Sequence, residues 1–123
     1  MKRKALVVDD DESMLRILTA VLETEGFEAI TVPDAGEAIA RMKGERFDLL
    51  ITDVLMPGAV GVRSIFRFME SLPERPPAIV ISAYWDEDSE MRRTYEEKAD
   101  GCLTKPFELE DFRRLVRKVC GDA

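Results

Sequence analysis

The strongest constraint on this chain is an alternation. Five short apolar runs, at residues 4–8, 27–32, 47–53, 78–82 and 101–104, are separated by stretches with helical periodicity. "KALVV" at 4–8 is a short apolar run and reads as a strand buried on both faces. After it, Met14, Ile17, Leu18 and Val21 fall on one helical stripe that Gly26 ends, with Asp11 or Ser13 as its cap. "FEAITV" alternates as a strand. Residues 34–44 form a second helix closed by Gly44, and "FDLLITD", 47–53, is another apolar strand. Residues 62–71 are helical with Ile65, Phe66 and Met69 inward. Residues 86–99 have only the thin stripe Met91, Tyr95 and Ala99, so that helix is expected to be the least firmly packed. The last helix, 108–120, carries Phe112, Leu115, Val116 and Val119 on one face. Strands alternating with helices imply an α/β fold: a parallel five-stranded sheet, order 2-1-3-4-5, covered on both faces. With 123 residues and no linker, repeat or low-complexity tract, the expectation is one domain over 1–123.

Composition narrows the function. The chain has no histidine, which excludes a Ser-His triad, a histidine zinc site and a histidine base within it. A net charge of −7 argues against direct nucleic-acid contact. No apolar run approaches ~20 residues, so no membrane span is expected. Cys102 and Cys120 form neither a metal-ligand spacing nor a disulfide framework, which points to the cytoplasm.

The acids carry the chemistry. "LVVDDDES" crowds Asp9, Asp10 and Asp11 where the first strand ends, and "LLITD" ends the third strand in Asp53. In a parallel sheet the ligand site lies outside the carboxyl ends of the strands, at the switch point between strands 1 and 3. Those strands lie ~4.8 Å apart, so Asp9, Asp10 and Asp53 should converge. Such a cluster is costly without a cation, and hard oxygen donors in this number suit Mg²⁺. Ser82 ends strand 4 and Lys105 follows strand 5, reaching the same edge. An aspartate can be phosphorylated as a covalent nucleophile, with the metal, Lys105 and a Ser82 hydrogen bond balancing the charge. Asp11 reads as a solvated helix cap rather than a ligand.

The set "VVDDDES", "LLITDVLMPG", "AIVISAYWD" and "GCLTKPF" resembles the receiver domain of two-component response regulators, of the chemotaxis-regulator type with a flavodoxin-like, doubly wound fold. The resemblance runs from residue 4 to about 120. It implies a phosphorelay protein that takes a phosphoryl group on Asp53 as an aspartyl phosphate. The donor is a sensor histidine kinase or phosphotransfer protein, and the transfer needs Mg²⁺. It implies that Asp10 binds the metal directly, that Asp9 acts mainly through water, and that the backbone carbonyl of Leu55 is a further ligand. Ser82 is the implied switch hydroxyl, Lys105 the phosphoryl contact, and Lys105–Pro106 a cis peptide. Such a domain catalyses only its own phosphorylation and dephosphorylation. It switches the surface of helix 4, strand 5 and helix 5 toward a downstream target or an output domain, as a monomer or a weak phosphorylation-dependent homodimer. Two positions depart from the pattern. Val60 stands where an Asp is usual, and Cys102 stands where the second switch element is a Tyr or Phe, leaving that mechanism without its ring. In its absence, Tyr84 and Trp85 would be the bulky residues of the loop.

The main competing reading is a phosphatase resembling the haloacid-dehalogenase class, with Asp9 as nucleophile and Asp11 as acid, but it leaves Asp53 unexplained. A flavodoxin-like cofactor binder fails because a phosphate-binding first loop should not carry three aspartates. A metal-independent docking receiver is at odds with the intact acid set. "RRLVRK", 113–118, is read as the wet face of the last helix, and Cys120 as a buried or half-buried small side chain.

Overall fold

The computed structural model describes residues 2–53, 61–82 and 97–121. Five strands, β1 (Arg3–Val8), β2 (Phe27–Val32), β3 (Leu49–Asp53), β4 (Ala78–Ser82) and β5 (Gly101–Thr104), form one parallel sheet in the order β2-β1-β3-β4-β5. Among the described residues there are four helices: α1 (Glu12–Thr24), α2 (Ala35–Gly44), α3 (Gly61–Glu70) and α4 (Leu109–Cys120). The helix expected over 86–99 falls outside the described residues, apart from Glu97 and Lys98, which are helical, and Ala99, a bend partly buried against the core. Residues 54–60 also lie outside them. No helix among the described residues is long and apolar enough to cross a membrane.

The inner strands β1, β3 and β4 are largely apolar on both faces because each face carries helices, while the edge strand β2 alternates. Ala5, Val7, Leu49, Ile51, Ile79 and Ile81 pack with Leu18, Leu22, Phe112 and Val116 of α1 and α4. Leu6, Val8, Leu50 and Val80 pack with Ala38, Met42, Ile65, Phe66 and Met69 of α2 and α3. Phe66 and Phe112 are core and Phe68 is partly buried against it, as read from the sequence. Ile17 is not: it is 42% exposed, and the buried stripe of α1 is Leu18, Val21 and Leu22. A helix against a sheet buries a stripe about 100° wide, and Ile17 sits at its edge.

Local chemistry sets the ends of the elements. Asp11 caps α1, its carboxylate accepting the N–H groups of Ser13 and Met14, and Asp34 caps α2 by accepting from Glu37. Gly26 leaves α1 at φ +85°, a left-handed conformation that costs a glycine nothing. Two aspartates pin the register at the amino ends of the strands. Asp48, just before β3, exchanges two 2.8 Å hydrogen bonds with Lys4 of β1. Asp100, just before β5, does the same with Ala78 of β4. The clasp at Asp48 explains why β3 begins at Leu49 rather than Phe47.

The basic run of α4 is not merely a wet face. Arg113 Nε and Arg117 Nη2 each lie 2.9 Å from Glu25 Oε1, tying α4 to the end of α1, while Arg114 stays exposed. Arg3 stacks its guanidinium over Phe27, 4.4 Å from the ring centre. Its Nη1 donates at 3.2 Å to the carbonyls of Cys120 and Gly121 where α4 ends.

Candidate functional site

Side-chain alternation explains why the site assembles. Ala5 and Val7 on β1, Leu49 and Ile51 on β3, and Leu103 on β5 all face α1 and α4. Continuing that parity by two residues leads to Asp9, Asp53 and Lys105. The three therefore rise on one side of neighbouring strand ends. Asp9 is 2% exposed and Asp53 is 7% exposed, whereas Asp10 is exposed at the rim. Carboxylate oxygens of Asp9, Asp10 and Asp53 lie within 4.8 Å of one another. Lys105 Nζ stands 3.0 Å from Asp53 Oδ2 and 3.5 Å from Asp9 Oδ2. Asp9 Oδ1 also accepts the backbone N–H of Asp11 at 2.9 Å.

The electrostatics follow from burial. Burial is the largest influence on Asp9 and pushes its pKa above the ordinary 3.8; the Asp11 N–H and Lys105 pull it down, and the charge of Asp53 pushes it up. Burial alone would lower the Lys105 pKa, but the hydrogen bond and charge of Asp53, with Asp9 behind them, hold it above 10.5. Among the described residues, three carboxylates gather around the one ammonium of Lys105. All-oxygen donors of that charge suit a hard divalent cation such as Mg²⁺.

Of the residues singled out from the sequence, Asp9, Asp10, Asp53 and Lys105 come together. The Lys105–Pro106 peptide is cis. Ser82 closes β4 at the same sheet edge, in register with Thr104; its side chain lies outside what is described. Leu55, Val60, Tyr84 and Trp85 lie outside the described residues. Cys102 is half-buried and faces the opposite side of the sheet, against the α2–α3 core. Asp11 is committed to capping α1, and Asp53 sits inside the cluster. Neither fits a phosphatase built on Asp9 and Asp11.

One buried polar residue escaped the sequence reading. Thr52 is fully buried, and its hydroxyl donates to the backbone carbonyl of Asp53 at 3.0 Å. A threonine inside the otherwise apolar "LLIT" was the available signal.

The geometry agrees with known proteins. The profile of the response regulator receiver domain matches residues 5–117. Over 119 residues the chain is 31% identical to the alkaline phosphatase synthesis transcriptional regulatory protein PhoP of Bacillus subtilis, covering 97% of this chain and 49% of that protein. It thus spans about half the length of that curated relative. A response regulator from Thermotoga maritima superposes with a TM-score of 0.84 at 27% identity, over 99% of this chain and 100% of that one. The response regulator TrrA of the same organism, solved in complex with Mg²⁺-BeF, gives a TM-score of 0.81 at 26% identity, over 95% and 98% of the two chains.

Proposed function

Because this chain belongs to the response regulator receiver domain family, we propose that it is a Mg²⁺-dependent phosphoacceptor switch with Asp53 as the residue that takes the phosphoryl group. The observation that carries this reading is the Lys105 ammonium, 3.0 Å from an Asp53 carboxylate that shares its pocket with Asp9 and Asp10.

Asp9, Asp10 and Asp53 would hold the metal, with the Leu55 carbonyl as the further ligand the resemblance implies. The Mg²⁺-BeF complex of TrrA supports that assignment. A bound Mg²⁺ supplies positive charge to phosphoryl oxygens. Lys105 supplies a second charge from the protein, already placed and held protonated by its two acids. An Asp53 oxygen attacks the phosphorus of the donor. The bond from phosphorus to the donor's leaving atom breaks, and that atom, the histidine nitrogen of a protein donor or the acetate oxygen of acetyl phosphate, leaves with the electron pair. No histidine of these 123 residues can be the donor, so the phosphoryl group comes from the histidine of a sensor histidine kinase or phosphotransfer domain, or from a small molecule such as acetyl phosphate. Hydrolysis reverses the state: water attacks phosphorus and the bond to Asp53 breaks. Lys105 and the Ser82 hydroxyl hold the phosphoryl oxygens in the active state, which biases a two-state surface toward a downstream target or output domain. The chain then acts in the cytoplasm as a regulator and catalyses only its own phosphorylation and dephosphorylation.

Intact-mass spectrometry with acetyl phosphate and Mg²⁺ tests the reading. One phosphoryl group should appear, and should be lost in EDTA and in Asp53→Ala, but not abolished by Asp11→Ala. Uptake that survives Asp53→Ala or needs no metal would sink the assignment.

A further inference from the structure

Among the described residues, three polar or charged side chains are buried: Asp9, Asp53 and Thr52. The first two belong to the site. Thr52 faces away from it, in a row that crosses the sheet as Val32, Val8, Thr52, Val80 and Cys102. Valine would fit that row without a hydroxyl to satisfy, and a buried hydroxyl is tolerated only when it is hydrogen-bonded. Here it is bonded, at 3.0 Å, to the carbonyl of Asp53. That carbonyl belongs to the last residue of β3, where the ladder ends.

We propose that Thr52 is a positioning residue for phosphoryl transfer, its buried hydroxyl fixing the Asp53 peptide and through it the direction of the Asp53 carboxylate. This rests on Asp53 being the phosphoacceptor. The Thr52 side chain leaves its own Cα and returns to the carbonyl of the next residue, so the bond closes a small ring around the Thr52–Asp53 linkage. That ring restrains ψ of Thr52 and φ and ψ of Asp53 together, and the first two of these set where the Asp53 side chain emerges relative to Lys105. Nucleophilic transfer is steep in such placement: a misplacement of about 1 Å costs up to about 100-fold. The hydroxyl holds the acceptor from the core side, while Lys105 holds it from the pocket side.

Two substitutions separate positioning from packing. Thr52→Val keeps the shape and removes the hydroxyl; Thr52→Ser keeps the hydroxyl and removes a buried methyl. Thr52→Val should be at least as resistant to urea as wild type, yet take up phosphoryl from saturating acetyl phosphate about tenfold more slowly, with an unchanged Mg²⁺ midpoint. Thr52→Ser should be less stable but phosphorylate within about twofold of wild type. A structural role would rank the rates by stability. A Thr52→Val rate equal to wild type, or a Thr52→Ser rate as slow as that of Thr52→Val, overturns the proposal. The ¹³C shift of the Asp53 carboxylate in metal-free protein reads the same hold without any transfer. It should move in Thr52→Val and not in Thr52→Ser, and no movement in the first overturns the proposal. Wild type that takes up no phosphoryl group overturns the reading of the site instead, and the carboxylate shift still decides the role of Thr52.

Discussion

Replacing Lys105 with methionine keeps most of the side-chain stem and deletes its charge. The ammonium lies 3.0 Å from Asp53 and 3.5 Å from Asp9, and at an effective dielectric constant of about 20 each attraction is roughly 5 kcal/mol. Much of that is offset by the cost of holding the ammonium out of water. Stripping one partner from a buried pair leaves a net loss of about 3–5 kcal/mol. Lys105 retains 19% exposure at the pocket mouth, which places the expected loss at the lower end, about 3 kcal/mol. The pH dependence follows from Asp9. Its folded pKa lies above 3.8, so its protonated form is favoured by the fold. When deprotonated it is a buried anion that needs Lys105. As pH falls through that raised value toward 3.8, Asp9 becomes neutral, and the gap between variant and wild type should shrink. The Lys105 contribution itself is present below 10.5 and is lost only as pH rises through its still higher folded value. Urea unfolding of both proteins in EDTA at pH 7 and near pH 4 measures the gap. Saturating Mg²⁺ should stabilise the variant more than wild type, since its acid cluster has lost the Lys105 ammonium; 100-fold excess over Kd is worth about 2.7 kcal/mol. A variant as stable as wild type at pH 7 in EDTA, or a gap that does not change with pH, would refute the reasoning.

Other expectations follow from the packing. A Cβ at Gly101 would stand 2.7 Å from Leu115 Cδ1, so Gly101→Ala should cost about 1–2 kcal/mol in urea unfolding, partly recovered in the double variant with Leu115→Ala. Glu25→Gln removes the charge that Arg113 and Arg117 share, and should cost about 1–3 kcal/mol while speeding amide hydrogen exchange in α4. Burial pushes the Cys120 thiol above 9.0, so its alkylation at pH 8 should be slower than that of a free cysteine in a peptide, and should gain on raising the pH beyond that value.

The sheet was legible because its strands announce themselves: β2, β4 and β5 begin and end where the apolar runs do. The site was legible for the same reason. Acids directly after apolar runs have one place to go in a parallel sheet, and counting parity sends Asp9, Asp53 and Lys105 to one side. What stayed hidden depended on partners distant in sequence. Nothing near residue 25 says that its carboxylate will meet Arg113 and Arg117. The span of 113–118 therefore looked like a solvated helix face when two of its arginines are structural. Ile17 was misplaced because hydrophobicity gives a stripe's direction better than its width. Thr52 was overlooked because a single hydroxyl barely interrupts an apolar run, and only its bond to Asp53 gives it meaning.

Arg3 places the two ends of the described chain side by side. Its guanidinium spans from the start of β1 to the carbonyls that finish α4, at the pole of the sheet opposite the acids. Entry and exit therefore share one pole and the chemistry occupies the other, which gives the molecule the form of a cassette. A polypeptide attached before β1 or after α4 starts from the pole far from the pocket. The same proximity permits rewiring: a short bridge from residue 121 to residue 3 closes the backbone into a ring, which can be reopened at the Gly44–Phe47 turn without severing a strand or separating Asp9, Asp53 and Lys105.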